Sequence, residues 1–146
     1  MANVFDVAKC ILDQRGEMDT WKLQKLVYYC QAWSLVWDEK PLFSELIEAW
    51  ANGPVCRELY ILHKGMFSVS AQSPIWDTAD PGRLTEVEKE TIDSVVNYYG
   101  NRPGHWLRAL THVEEPWIVA RGDTPLMEPC ENEITHAMMR LYYGAL

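Results

Sequence analysis

The residues between Leu23 and Val55 constrain this chain more than any others. They read LQKLVYYCQAW, then thirteen residues, then IEAWANGPV. Within the first block and just beyond it, Leu23, Leu26, Val27, Cys30, Trp33 and Trp37 recur at helical spacing. At about 100° per residue they share one arc of a helical wheel, as a core-facing stripe does. Trp21, Tyr28 and Leu35 recur every seven residues on roughly the opposite side. A helix apolar on two sides is normally buried on both, which predicts a central helix from Asp19 or Thr20 to about Trp37. Either of those first residues can cap its open amides. The alternative is that the second side meets a partner protein.

IEAWANGPV carries a turn signal. Gly53-Pro54 punctuates the chain, and Pro54 suits the first turn of a helix, where its missing amide hydrogen leaves nothing unpaired. A helix carrying Val55, Leu59, Tyr60, Leu62 and His63 is therefore expected to follow, with Ile47–Trp50 as a short strand or extended segment. Nothing here is reactive at neutral pH, so the segment reads first as a structural elbow. Trp50 should be buried, and Gly53 should sit where no side chain is tolerated.

Elsewhere, a first helix is expected from about Val4 to Gln14, ended by Gly16. Asp38–Pro41 is a turn. Lys64–Arg83 is poor in regular-structure signals, with Phe67 and Trp76 as expected anchors onto the body. A loop of that length in a compact domain is either functional or mobile. Thr85 with Glu88 forms a capping box for a helix ending near Gly100. Short helices follow Pro103-Gly104 and Pro116, Gly122–Pro129 is a loop, and a last helix is expected from about Asn132 to Tyr143. The fold class expected is mainly α, one compact domain over residues 1–146 with about six helices and a minor extended segment near Trp50.

Composition narrows the function. The net charge of −8 repels phosphate backbones, which argues against nucleic-acid binding through a broad basic patch and suits a cationic partner. Seven tryptophans and seven tyrosines demand burial, hydrogen-bond partners or an interface. No apolar run reaches membrane-spanning length, and the first segment, interrupted by Asp6, Lys9 and Asp13, does not read as a signal peptide. A cytoplasmic location with reduced thiols is the expectation.

No catalytic, metal or cofactor residues are assigned. Cys10, Cys30, Cys56 and Cys130 form no CxxC pair, the four histidines lack ligand spacing, and neither a P-loop nor a dinucleotide glycine pattern occurs. A cysteine hydrolase pairing Cys56 with His63 or His112 is the lowest-ranked function, because a free cysteine is usually a buried hydrophobe. Lys22 and Lys25 lie between the two apolar arcs. They read as solvated charges with buried stems.

LQKLVYYCQAW, AWANGPV with Tyr60 soon after, and LTHVEEPWIVAR resemble the SocA-like antitoxins, or Panacea domain, which include phage-associated GepA-like proteins. The resemblance extends from the first helix to the closing Ile134–Tyr142 segment. It implies a small helical cytoplasmic protein of a bacterium or phage that neutralises a toxin by binding it. In the SocA case the toxin is also delivered to an ATP-dependent protease. Leu23, Lys25, Leu26, Tyr29, Trp50, Gly53, Pro54, Val55, Thr111 and His112 are then motif residues with structural roles. For Lys25, the motif lysine, the resemblance implies as the alternative a buried ion pair with an acid such as Glu48. Thr111 or His112 would cap the turn at Pro116. Trp21, Tyr28, Tyr60, Trp117 and Arg121 are the partner-binding candidates, with a purely structural role favoured for Trp117 and Arg121. A phage- or prophage-encoded factor that binds a host protein is the second function.

Overall fold

A computed structural model describes residues 1–146. Six α-helices surround α2 (Thr20–Trp37), with α1 (Val4–Arg15) before it and α3 (Arg57–His63), α4 (Glu86–Tyr99), α5 (Gly104–His112), α6 (Glu115–Arg121) and α7 (His136–Gly144) after it. Two small antiparallel pairs complete the chain: β1 (Met18–Asp19) with β4 (Ser68–Val69), and β2 (Ile47–Trp50) with β3 (Gly53–Cys56). The expected class, a single mainly α domain, is the one observed.

Helix α2 is the spine. Asp19 caps it, its Oδ1 accepting from the amides of Trp21 at 2.7 Å and Lys22 at 3.0 Å. Helices α1, α4, α5 and α7 and strand β3 all pack on it. Burial also takes in polar residues, and the neutral ones are answered by hydrogen bonds. Gln31 accepts from the Leu42 amide and donates to the Phe43 carbonyl, both at 2.8 Å, and Ser34 donates to the Lys40 carbonyl at 2.7 Å. At the far end Trp37 leaves the core, stacking on Trp33 at 5.0 Å with 51% of its surface exposed.

Thr85 and Glu88 form the capping box expected of α4. Lys64–Arg83 is better held than its composition suggests. Buried Asp6 accepts from the Arg83 guanidinium at 3.0 Å and the Asp80 amide at 2.7 Å, and the Trp76 indole donates to the Ser70 carbonyl. Trp76 anchors this segment as expected, but Phe67 does not. It is 82% exposed.

Two expected helical stretches are extended instead, one a strand and the other a single bridge onto β2. Gly53–Cys56, Pro54 included, pairs with β2 in the register Ile47 to Cys56 and Trp50 to Gly53, joined by Ala51-Asn52. Pro54 lies opposite Ala49, and the next helix starts only at Arg57. Similarly, Asn132–Ile134 runs along the outer edge of β2, with Ala49 donating to Asn132 at 2.9 Å and Ile134 to Ile47 at 2.8 Å. The last helix is therefore delayed to His136, where the Thr135 hydroxyl caps it.

Candidate partner-binding face

The β2–β3 turn is pinned by side chains from the two helices that follow one another across it. Arg121 Nη1 donates to the Ala49 carbonyl at 3.0 Å, and the Trp117 indole to the Trp50 carbonyl at 2.8 Å. His112 Nε2 lies 3.0 Å from the Ala51 carbonyl, its Nδ1 2.7 Å from that of Arg108. Three successive carbonyls are thus met by three helix-borne groups. The Arg121 Nη2 closes the following loop, donating to Pro125 and Glu128, both at 2.7 Å. Trp117 stacks against His112 with ring centroids 3.9 Å apart.

These contacts settle where several candidates stand. Trp117 and Arg121 are buried, with their indole and guanidinium turned to the hairpin, the structural role favoured for them. Tyr28 is buried too, its hydroxyl 3.0 Å from that of Tyr143. Its place on the second arc of α2 reflects a helix covered on that side by the chain itself. Thr111 caps nothing at Pro116: its hydroxyl donates to the Arg108 carbonyl at 2.8 Å. His112 does not cap that turn either, because both ring nitrogens face carbonyls elsewhere. Leu23, Leu26, Tyr29 and Val55 are core residues, and Gly53 and Pro54 are buried beside them.

Trp21, Trp50 and Tyr60 remain partly exposed and meet on one face. Tyr60 lies between the two tryptophans, its ring centroid 4.9 Å from that of Trp50 and 6.0 Å from that of Trp21. Trp50 is therefore not the buried core residue expected. Its backbone is fixed by Trp117, but its ring turns outward, with the Nε1 hydrogen donated to Glu48 at 2.8 Å. On one side of this aromatic ridge a groove of about 490 Å³ runs between Trp50, Tyr60, Ile61 and Met127. On the other, a hollow of about 320 Å³ lies between Trp21, Tyr60, His63 and Phe67. Ile61, Phe67 and Met127 expose 66%, 82% and 78% of their surface. Exposed apolar side chains gathered around aromatic rings are what a protein interface needs.

The charges nearby depart from expectation. Glu48 does not reach Lys25. It pairs with Arg57 at 3.2 Å, and Arg57 also pairs with Glu131. Lys25 is 1% exposed and faces no carboxylate within pairing distance. Its Nζ donates to the Pro54 carbonyl at 3.4 Å and lies 5.6 Å from the Trp21 ring centre. Burial, reinforced by the charge of Arg108, brings its pKa down to about 7.

Cys56 offers no activated thiol. It is buried, burial pushes its pKa up to about 12, and it is locked through its backbone rather than its sulfur. The Gln24 amide accepts from Cys56 N at 2.9 Å, donates to Cys56 O at 3.2 Å, and sits 3.0 Å from His63 Nε2.

The largest feature with no sequence signal is a buried tyrosine cluster around Glu114. Tyr29 and Tyr143 donate to Glu114 Oε1 at 2.6 and 2.8 Å, and Tyr29 stacks on Tyr99 at 4.1 Å. Burial raises the Glu114 pKa against the pull of those two hydrogen bonds. Its partners come from residues far apart in the chain, so no local pattern announces it.

The model of the family described as antitoxin SocA-like, Panacea domain, matches residues 23–118. The chain belongs to this family. The matched stretch of the Panacea domain contains α2 from Leu23 onward, the pinned hairpin, Tyr60 and the first part of α6. It takes in Trp50 and Tyr60 of the ridge and two of the three carbonyl grips, while Trp21 and Arg121 lie just outside it. No curated protein and no solved structure matches the chain. No helix is long and apolar enough to cross a membrane.

Proposed function

We propose that this Panacea domain is a non-catalytic antitoxin that neutralises a toxin protein by binding it on the Trp21–Tyr60–Trp50 face. The observation that carries this is the aromatic ridge itself: three partly exposed rings, each meeting the next in space, flanked by two hollows and bordered by Ile61, Phe67 and Met127. Family membership supplies the class of partner, a toxin. The net charge of −8 favours a toxin with a cationic surface, whose approach it would steer. The protein would act in the cytoplasm of a bacterial host, from a chromosomal, prophage or phage gene. Delivery of the bound toxin to an ATP-dependent protease is a further part of the proposal.

Co-expression with the neighbouring reading frame, scored for growth, tests this directly. The parent chain should protect, and Trp21→Ala or Tyr60→Ala should protect less while melting near the parent temperature. Full protection by the double variant would remove the ridge from the mechanism. Toxin levels followed after translation is stopped, with and without the protease, decide the adaptor role.

A further inference from the structure

Beside the aromatic ridge lies a third depression, of about 360 Å³, with a different character. Lys25 forms its floor, Arg108, His105 and Asn52 part of its wall, and Trp21 separates it from the apolar hollow. An ammonium group has three hydrogens to donate, and that of Lys25 meets one acceptor, at the long distance of 3.4 Å. The Arg108 guanidinium pairs with no carboxylate of the chain. Gly104 also lines the pocket, at the start of α5, which has no side-chain cap. Only the Trp106 and Leu107 amides bond back to Pro103, so the Gly104 and His105 N–H groups stay open. The one acid present, Asp19, is engaged by its Oδ1 in capping α2.

A buried ammonium with so little answering it lowers stability in the free protein. It becomes an asset when an anion is brought to it. We propose that this pocket receives a carboxylate side chain of the partner protein, held between the Lys25 ammonium and the Arg108 guanidinium. The proposal rests on the reading that the chain works by binding a protein. A carboxylate fits better than a phosphate. It is a planar monoanion that matches the guanidinium fork, whereas the second charge of a dianion would add to the repulsion from Asp19, the one acid in the lining. Within a face built for apolar contact, one acidic residue of the partner seated here would fix its orientation.

The test needs no toxin. Sodium acetate is titrated into ¹⁵N-labelled protein at constant ionic strength against sodium chloride, and the Asn52, Gly104 and His105 amide shifts are followed. Acetate should give saturable shifts that chloride does not. Lys25→Met should abolish them, and Arg108→Gln should weaken acetate about tenfold, the loss expected for one charge-assisted contact. Arg108 is exposed, so that variant carries the test even if Lys25→Met does not fold. Shifts that never saturate, or that persist unchanged in both variants, overturn the proposal. Phosphate binding as tightly as acetate overturns the carboxylate assignment. If both variants lose acetate yet hold the toxin with unchanged affinity, the pocket is not the partner's, and the antitoxin function stands without it. Failure of the parent chain to protect cells overturns the antitoxin function, and the acetate result still decides whether the pocket binds carboxylates.

Discussion

Lys25 occupies the space that a side chain on Gly53 would need: its Cε lies 2.6 Å from where a Cβ on Gly53 would stand. Gly53 also has φ of +114°, a conformation that L-residues rarely adopt. Gly53→Ala should therefore destabilise by about 2 kcal/mol or more, the strain of the backbone adding to displacement of a buried lysine. Chemical denaturation measures this, and a variant as stable as the parent would show that the hairpin can shift freely against α2.

Lys25 gives stability a pH dependence of definite sign. Its folded pKa of about 7 lies below the ordinary 10.5, so across that window the unfolded chain binds a proton that the folded chain releases. Stability from this group rises with pH from about 7 to 10. Lys25→Met keeps the volume and removes the charge. It should raise the melting temperature most at or below pH 7, and the gain should shrink toward pH 10. An equal shift at every pH would mean that the amine is better solvated than its surroundings indicate.

Glu114 acts in the opposite direction. Its folded pKa is raised by burial, so its contribution is fully present below the usual carboxylate range and is lost as pH rises through the folded value. Glu114→Gln should flatten that decline in denaturation curves taken from pH 4 to 8. Tyr29→Phe removes one of the two hydroxyls that hold this carboxyl and should cost about 1–3 kcal/mol, the penalty of a buried polar group left short of a partner.

Trp50→Ala should separate stability from binding. The ring is only partly buried and its fixed carbonyl belongs to the backbone, so truncation should cost about 1–2 kcal/mol, less than a full core truncation. Affinity for the toxin should fall by about 2 kcal/mol or more, the scale of a central aromatic anchor. Calorimetry on the purified pair, with melting curves of the free variant, gives both numbers.

Cys56→Ser should leave protection of cells intact. With a thiol pKa near 12, labelling of Cys56 by iodoacetamide at pH 7 should be far slower than that of a free thiol in solution. Loss of protection by a folded Cys56→Ser variant that still binds the toxin would reopen enzymatic chemistry.

Much of the helical frame is legible in the sequence because its signals are local. The arcs of α2 repeat within a single helix, and the Asp19 cap and the Thr85–Glu88 box each lie within one turn. The hairpin is less legible. Pro54 carries the same local preference for a helix start as for the edge of a strand, and only pairing with Ala49 decides between them. Asn132–Ile134 is drawn out of the last helix for the same reason, by an edge of β2 distant in sequence. At the candidate face, Trp21 and Tyr60 can be picked out as large aromatics, but exposure is a tertiary property. Tyr28 and Trp117 look equivalent to them in the sequence and are buried. Lys25 and Glu114 are the least legible, since charged residues carry no local sign that they will be enclosed.

The sheet formed by β2 and β3 has no edge to offer. Asn132–Ile134 covers β2, while Gln24 and Lys25 from α2 bond the Cys56 and Pro54 backbone of β3 as a neighbouring strand would. Recognition by β-augmentation, in which a ligand docks as an added strand through main-chain hydrogen bonds, is closed at this hairpin. A toxin docked on the proposed face would have to be read through side chains. Main-chain pairing tolerates many sequences, whereas side-chain recognition changes with single substitutions. A domain built this way can acquire a new partner by altering a few surface residues while its backbone stays as it is.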